Sequence, residues 1–229
     1  MWFHESEIVW RYFDVGASFI WAISGALMAA TRGYDLTGIA AIALVSSTGG
    51  GLLRDALFLQ QGPPSLVRTP IYIVVAGVAA LLVWLLGREA RILRPFERFA
   101  GLVDAVGLGG FAVVGMQLAL RAELSLPGVV LVGVVNAVGG SVLRSLLLHE
   151  TPQVFRPGEL TAVASLAGCL VHLGLTRGLG LDPRPSAAIT ILLVALLRTG
   201  SVHYGLRTHA ARGFVEAPKP EVAQSAPGA

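Results

Sequence analysis

The stretch Gly49-Gly50-Gly51-Leu52-Leu53-Arg54-Asp55 recurs 90 residues later as Gly139-Gly140-Ser141-Val142-Leu143-Arg144-Ser145. The same offset aligns residues 14–57 with 104–147 without a gap, so that Asp14 matches Asp104. Alanine, glycine and leucine matches are expected between any two apolar segments, whereas matched charges are not, because charges are rare inside apolar spans. The sequence therefore predicts that one structural unit is present twice.

The composition around this repeat indicates a membrane protein. The chain has 229 residues, of which 54% are hydrophobic and 14% charged, with a mean hydropathy of +0.71. A soluble domain of this length cannot bury so much apolar surface. Seven segments are close to the about 20 residues that cross a bilayer; they are residues 8–30, 36–59, 69–87, 99–121, 125–148, 159–177 and 185–206. We expect an all-α, multi-pass membrane protein with seven transmembrane helices.

Several classes of function have no motif in this chain. The formal net charge is only +3, and no basic stripe interleaved with aromatic residues indicates nucleic-acid binding. No phosphate-binding loop and no nucleophile–base arrangement is present. The histidines and the single cysteine lack metal-ligand spacing. The sequence therefore predicts no enzyme activity, no catalytic residue, no cofactor and no metal site.

Three crossings in each copy give the two copies opposite orientations in the membrane. The first repeat is expected at 8–91, the inverted second repeat at 98–178, the seventh helix at 185–206 and a disordered tail at 213–229. With the N-terminus outside, nine basic residues lie inside and five outside, and the arginine-rich loop 88–98 contributes most of the difference. Basic residues concentrate on the cytoplasmic side, which predicts N-out and C-in.

The glycine runs lie inside the second and fifth spans. Each glycine weakens a helix interior by about 1 kcal/mol relative to alanine, so the runs predict a kink or an unwound turn that lines a path. Close helix packing through small residues is the alternative. The expected kink residues are Gly49, Gly50, Gly51, Gly139, Gly140 and Ser141, and the expected pore-lining polar residues are Ser46, Ser47, Thr48 and Asn136.

The duplicated charges predict two ion pairs. A rise of about 1.5 Å per residue places Asp14 level with Arg54 on the outer side, and the repeat places Asp104 level with Arg144 on the inner side. We expect both pairs to act as gates at the ends of a central cavity, the alternative being that they only fasten helices together. Asp55 has Ser145 as its counterpart and is expected to have no charged partner.

Two further residue types have simpler interpretations. The four tryptophans fall mostly near span ends, which is typical of anchors at the membrane interface. His172 stands alone in the sixth span and is expected to be a hydrogen-bonded interior residue.

Over about residues 10–206 the chain resembles the bacterial branch of the trimeric intracellular cation channels. The motifs that carry the resemblance are the two glycine-arginine motifs, Asp14, Ser24-Gly25-Ala26 and Arg68-Thr69-Pro70-Ile71-Tyr72. The resemblance implies a homotrimer in which each protomer has its own pore, lined by the first two helices of each repeat. It also implies that the glycine-bearing helices form the constriction and that monovalent cations pass. Ser141 departs from a full glycine triplet. Bacterial relatives also carry the name glycine transporter.

The leading hypothesis is a passive channel in a bacterial inner (plasma) membrane, with lipid and two further copies of the chain as partners. Potassium is the expected permeant ion, with sodium as a second. Backbone carbonyls freed at the kinks, together with hydroxyl groups, would replace part of the hydration shell of the ion. The alternative is a secondary transporter of a small solute such as glycine, and a structural scaffold is a third reading. Ser141 and Ser145, where the repeat departs from symmetry, predict that the inner gate moves.

Overall fold

The computed structural model describes residues 2–86, 90–155 and 160–204, with side chains described from residue 14 onward except at 90–100 and 103. Every regular element in these residues is helical. The α-helices are α1 Trp2–Ala30, α2 Leu36–Leu53, α3 Ser65–Arg68, α4 Ile71–Leu86, α5 Ala90–Arg121, α6 Leu126–Leu147, α7 Thr161–Leu173 and α8 Pro183–His203. Segments Arg54–Leu59 and Gly174–Gly178 continue α2 and α7 as π-helix, and Gln153–Phe155 is a 3₁₀ turn.

The observed helices follow the expected spans closely at most ends. The main correction concerns the arginine-rich segment 88–98, which was expected to be a loop. Helix α5 begins at Ala90, so most of this segment is the first part of a 32-residue helix. The expected tail 213–229 lies outside the described residues, as do the side chains of 90–100.

Helices α1, α2 and α4 pack into one group. Alanines spaced three or four residues apart, such as Ala22, Ala26 and Ala29, line the buried side of α1. Ala76, Ala79 and their neighbours do the same on α4. Small side chains at this spacing let helix backbones approach closely, which stabilises contacts between membrane helices.

Helices α5, α6 and α7 form a second group, and α8 packs against α5 and α7. The buried residues of α5 include Ala112, Met116 and Ala119. These occupy the positions 90 residues after Ala22, Ala26 and Ala29. The two groups therefore use equivalent faces of α1 and α5 for their internal packing.

The two groups meet where α2 crosses α6, at the glycine runs. A Cβ atom on Gly49 would lie 3.0 Å from the Cα of Gly140, and one on Gly50 would lie 2.2 Å from the carbonyl oxygen of Asn136. A Cβ atom on Gly140 would lie 2.7 Å from the carbonyl oxygen of Ser46. No side chain fits between the helices here, so glycine is required for the two backbones to approach this closely.

The helices are not unwound at the glycines, and the close packing expected as the alternative is present at Gly49, Gly50, Gly139 and Gly140, whereas Gly51 and Ser141 line cavities. Both glycine runs lie within uninterrupted α-helix, because Leu36–Leu53 and Leu126–Leu147 extend through them. The helix irregularity begins one turn later, as the π-helical segment Arg54–Leu59. The second copy remains α-helical at Arg144, so the two repeats differ at this point.

Several helices have the length and composition of membrane spans. Within the described residues, Leu36–Leu59, Leu126–Leu147 and Pro183–His203 are long and apolar enough to cross a bilayer, and Asp14–Ala30 and Ile71–Leu86 are shorter apolar helices. On α4, large apolar side chains such as Val74, Val78 and Leu85 are exposed. A row of this kind on a single helix has lipid as its natural partner.

Candidate functional site: two cavities beside the α2–α6 crossing

The larger cavity lies beside the carboxyl end of α2 and has a volume of about 170 Å³. Its polar lining comes from α1, α2, α3, α4 and α6, with the π-helical segment after α2. These polar residues are Asp14, Ser18, Ser47, Thr48, Arg54, Ser65, Tyr72 and Asn136. We call this space the first cavity.

The hydroxyl groups of α2 have their oxygen lone pairs available in the first cavity. Ser47 Oγ donates to the carbonyl oxygen of Leu44 at 3.1 Å, and Thr48 Oγ1 donates to the same oxygen at 2.7 Å. Since each hydroxyl proton is already used, the oxygens are left as acceptors. The expected pore-lining residues Ser47 and Thr48 therefore supply acceptor oxygen atoms to this cavity.

Arg54 lies at the edge of the first cavity and is only 6% exposed. Its Nε donates to Asp55 Oδ1 at 2.7 Å, and its Nη1 donates to Asn136 Oδ1 at 3.1 Å. The expectation that Asp55 has no charged partner was wrong. Consecutive residues on an α-helix do not face each other, but here the segment is π-helical and the long arginine side chain reaches its neighbour.

Asp55 also fastens the turn after the π-helical segment. Its Oδ2 accepts hydrogen bonds from the backbone nitrogen of Ser65 at 2.8 Å and from Ser65 Oγ at 2.9 Å. Arg54 and Asp55 thus connect α2, α3 and α6 at one end of the molecule. Sequence reasoning missed Ser65, for which the repeat has no signal.

Asp14 shares the first cavity with Arg54, but its direct partner is different. Its Oδ2 accepts a hydrogen bond from the hydroxyl of Tyr72 on α4. Between the two described side chains of Asp14 and Arg54, no contact of salt-bridge length is formed. The structure brings this expected pair into one cavity without joining it directly. Tyr72 belongs to the Arg68–Tyr72 motif, which was its signal in the sequence.

Asn136 connects the first cavity to the centre of the molecule. The residue is fully buried, and its Nδ2 donates to the carbonyl oxygen of Phe111 at 2.6 Å while its Oδ1 accepts from Arg54. The equivalent residue in the first repeat is Ser46, whose Oγ donates to the carbonyl oxygen of Ile42 at 2.6 Å. Both polar residues expected before the glycine runs therefore lie buried at the crossing.

A smaller cavity of about 20 Å³ lies on the other side of the crossing, and we call it the second cavity. The structure brings Asp104 and Arg144, the second expected pair, together in the lining of this cavity, and Arg144 Nη1 also donates to Ser24 Oγ on α1 at 3.3 Å. The remaining lining residues are Trp21, Ser46, Leu108, Ala137, Ser141, Gln153 and Thr161.

The two cavities have equivalent linings that differ in polarity. Asp14, Gly51 and Arg54 line the first cavity, and their counterparts 90 residues later line the second. Ser18 and Ser47 correspond to Leu108 and Ala137. The second cavity has lost these two hydroxyl groups and is much the smaller, so the repeat produces two unequal ends.

Phe111 lines the first cavity, Trp21 lines the second, and the two side chains are in contact. Their rings stack with centroids 4.6 Å apart and an interplanar angle of 26°. Each side chain is 8% exposed, and the two residues are equivalents in the repeat. Trp21 was expected to be an anchor at the membrane interface, which was wrong, because its side chain is buried inside the protein. Trp84 is 49% exposed. The side chains of Trp2 and Trp10 lie outside the described residues. The signal in the sequence that could have revealed this stacked pair is the 90-residue offset between Trp21 and Phe111.

An ion pair lies at the end of the molecule nearer the second cavity. Arg32, in the turn after α1, contacts Glu150, which follows α6. The pair joins the two helix groups and is about a third exposed. The equivalent positions at the other end are Gln60 and Ala122, which carry no charge.

His172 lies away from the cavities and is 1% exposed. Its Nδ1 lies 3.4 Å from Thr190 Oγ1, as expected for a hydrogen-bonded interior residue.

Comparison with known sequences matches most of the chain to one family. The sequence model described as Glycine transporter matches residues 11–88 and 101–177. A UPF0126 membrane protein of Deinococcus radiodurans is 36% identical over 159 residues, which are 69% of this chain and 72% of the relative. The UPF0126 inner membrane protein YadS of Escherichia coli K12 is 30% identical over 196 residues, which are 86% of this chain and 93% of the relative.

Solved structures agree with this assignment. A chain described under "Structural basis for conductance through TRIC cation channels" superposes with a TM-score of 0.79 at 28% identity and covers 91% of this chain and 98% of its own length. The TRIC orthologue from Rhodobacter sphaeroides has a TM-score of 0.76 at 28% identity, covering 86% and 99%.

These matches also show in which membrane the protein lies and to which functional class its relatives belong. Relatives are named inner membrane proteins, and the described helices include several of membrane-spanning length. The protein is therefore a multi-pass protein of the bacterial plasma membrane, and its relatives form a channel and transporter family, not an enzyme family. The chain belongs to the prokaryotic branch of the trimeric intracellular cation (TRIC) channel family, which includes the UPF0126 membrane proteins.

Proposed function

We propose that the protein is a passive channel for monovalent cations, with potassium as the main permeant ion. The observation that carries the proposal is the pair of cavities on opposite sides of the α2–α6 crossing, the larger of which is lined by oxygen atoms. The likeness to structures described as TRIC cation channels supports it.

The first cavity has the chemistry to attract and partly dehydrate a cation. Asp14 contributes a carboxylate, and Ser18, Ser47 and Thr48 contribute hydroxyl groups. Carbonyl and hydroxyl oxygens can replace part of the hydration shell of a cation. Because the helices are not unwound at the glycines, we now assign this role to side-chain oxygens and not to freed backbone carbonyls.

The path is proposed to run through a single protomer, between two inverted repeats at 8–91 and 98–178. The matching of one family model at 11–88 and again at 101–177 supports the duplication. In this proposal α8, which corresponds to the span expected at 185–206, is the seventh transmembrane helix, and the N-terminus lies outside and the C-terminus inside. Three such protomers form a homotrimer, as the structures of relatives are described.

The gate is proposed to lie at the second cavity, because that end is narrow and Arg144 occupies it. Opening requires Arg144 to move away from the path of the ion. One elementary charge moved across 100 mV is worth about 2.3 kcal/mol, which is enough to bias a gate of this kind. If Arg144→Ala left the open probability unchanged at every voltage, this gate would be rejected.

Recording from purified protein in planar bilayers tests the function. We expect unitary current steps with a reversal potential that shows preference for potassium over chloride, and measurable sodium current. Saturable glycine uptake into proteoliposomes without unitary steps would instead support the secondary transporter. Either result would argue against a purely structural role as a membrane scaffold.

A further inference from the structure

The second cavity contains polar atoms for which the described part of the chain supplies no hydrogen-bonding partner. They are Trp21 Nε1, Arg144 Nε and Thr161 Oγ1, and all three residues line the cavity. Trp21 is 8% exposed and Thr161 is 6% exposed, so neither polar atom can turn to bulk solvent. Buried polar groups in folded proteins are almost always hydrogen-bonded, and three exceptions at one place indicate a ligand.

The chemistry of the lining defines what this ligand must offer. The indole N–H of Trp21 and the Nε–H of Arg144 can only donate a hydrogen bond, while the hydroxyl of Thr161 can donate or accept. The ligand must therefore carry at least two lone pairs. A cation does not meet this requirement, so the site is distinct in kind from the oxygen-lined first cavity.

The size of the second cavity restricts the ligand further. A volume of about 20 Å³ exceeds the roughly 10–15 Å³ that one water molecule requires, but it is too small for an amino acid or a phosphate. A water molecule and a halide ion both fit and both accept hydrogen bonds. The carboxylate of Asp104 lines the same cavity and balances the charge of Arg144, which favours a neutral ligand.

The first cavity lacks the equivalent donors, so the site belongs to one end only. Phe111 occupies the position equivalent to Trp21 and has no N–H group. Arg54, the equivalent of Arg144, donates its Nε–H to Asp55. The unpartnered donors therefore arise from departures from the repeat.

We propose that the second cavity binds one small lone-pair acceptor, a water molecule or a halide ion, held by Trp21 Nε1, Arg144 Nε and Thr161 Oγ1. The bound acceptor fixes Arg144 against Trp21 on the far side of the ring stack from the first cavity. It is a structural part of the narrow end, and its presence does not depend on whether the protein transports ions.

Nuclear magnetic resonance of the tryptophan indole groups tests the site without any transport measurement. The protein is labelled with ¹⁵N at the indole nitrogens and placed in lipid nanodiscs, and Trp21→Phe identifies the Trp21 signal. We expect either a cross-peak between the Trp21 indole proton and water or a saturable shift of that signal when chloride replaces gluconate at constant ionic strength. The first result identifies water and the second identifies a halide ion.

A matched pair of variants shows whether the ligand is held by the three proposed residues. Thr161→Val removes one of the three and is expected to reduce the cross-peak or the apparent halide affinity at least about threefold. Thr176→Val is the control, because its hydroxyl donates to the carbonyl oxygen of His172 and does not line the cavity. A Trp21 indole proton that shows neither water contact nor halide response in the unmodified protein would overturn the proposal, as would equal effects of the two variants.

Discussion

Asn136 joins two helices by buried hydrogen bonds at the first cavity. It accepts from Arg54 and donates to the carbonyl oxygen of Phe111, and it has no exposure to solvent. Removing one partner of a buried hydrogen bond leaves the other unsatisfied, which costs about 1–3 kcal/mol for each group and more where a charge is involved.

We predict that Asn136→Leu lowers the free energy of unfolding by about 2–5 kcal/mol, because it leaves both Arg54 Nη1 and Phe111 O without a partner. Denaturant titration of the purified protein in detergent measures this change. Ser46→Ala is the matched control at the equivalent position, where only a bond within one helix is lost, and it is expected to cost about 1 kcal/mol or less. Equal losses would contradict the role given to Asn136.

The charge of Arg54 is expected to limit how strongly the first cavity attracts cations. At an effective dielectric constant of about 20, a unit charge about 8 Å from a potassium ion repels it by about 2 kcal/mol. Because about 2 kcal/mol corresponds to about thirtyfold in an equilibrium constant, we predict that Arg54→Gln lowers the potassium concentration for half-maximal current by about thirtyfold, measured in planar bilayers.

Arg177→Gln makes the same change of charge on an exposed side chain that lines neither cavity. It is expected to leave the half-maximal potassium concentration within about a factor of two, because exposed charges are screened. An unchanged value for Arg54→Gln would show that the permeant ion does not enter the first cavity.

At the scale of the helix, the glycine runs are sites of contact between α2 and α6. Gly50 faces the backbone of Asn136, with room for no side chain, whereas a Cβ atom on Gly51 would be 3.6 Å from its nearest neighbour, the side chain of Arg54. These adjacent glycines differ sharply in their surroundings and scarcely at all in their effect on helix propensity. They can therefore separate a packing role from a hinge role.

We predict that Gly50→Ala forces α2 and α6 apart and lowers the thermal midpoint of unfolding by 10 °C or more, roughly what a loss of a few kcal/mol produces. Gly51→Ala is expected to change the midpoint little or to raise it, since alanine favours the helix by about 1 kcal/mol. Gly77→Ala on α4, where nothing lies within 4 Å, serves as a second control. Similar effects of Gly50→Ala and Gly51→Ala would favour a hinge over packing.

At the scale of the whole molecule, the two ends of the repeat are fastened differently. The end near the first cavity is held by the charged pair Arg54–Asp55 and by Ser65, all close together in the chain, and among the described residues only the neutral group of Asn136 connects Arg54 to the other helix group. The end near the second cavity is held by Arg32 and Glu150, which join the two helix groups. Movement of one group against the other would therefore break the Arg32–Glu150 pair.

We predict that Glu150→Gln raises the open probability about two- to fivefold, the range for an ion pair worth about 0.4–1 kcal/mol. Single-channel recording measures the effect, and high salt is expected to produce a similar rise in the unmodified protein. The charge exchange Arg32→Glu with Glu150→Arg is expected to restore the original value. Failure of the exchange to restore it would show that the pair does not hold the closed state.

The hydropathy and the 90-residue offset predicted most of the helical spans and the charged residues Asp14, Arg54, Asp104 and Arg144 that line the two cavities. Asp14 with Arg54 and Asp104 with Arg144 were each assigned to a common depth, and each set shares a cavity. The helical spans follow from the length of each apolar segment, which is a local property of the sequence. The matched charges follow from the repeat, which is a periodic property of the sequence.

Only the tertiary structure decided which atoms meet. The pairing of Arg54 with Asp55 depends on a π-helical segment, the packing of Gly50 depends on the backbone of Asn136, and the stacking of Trp21 on Phe111 depends on how the two repeats approach. The sequence alone determined a helical membrane protein and predicted that its paired charges recur at an offset of 90 residues. Packing decided the contacts between residues far apart in the chain, such as Arg54 and Asn136, which are 82 residues apart. Packing also made the two cavities unequal. Both features depend on the volume and direction of side chains from both repeats at once.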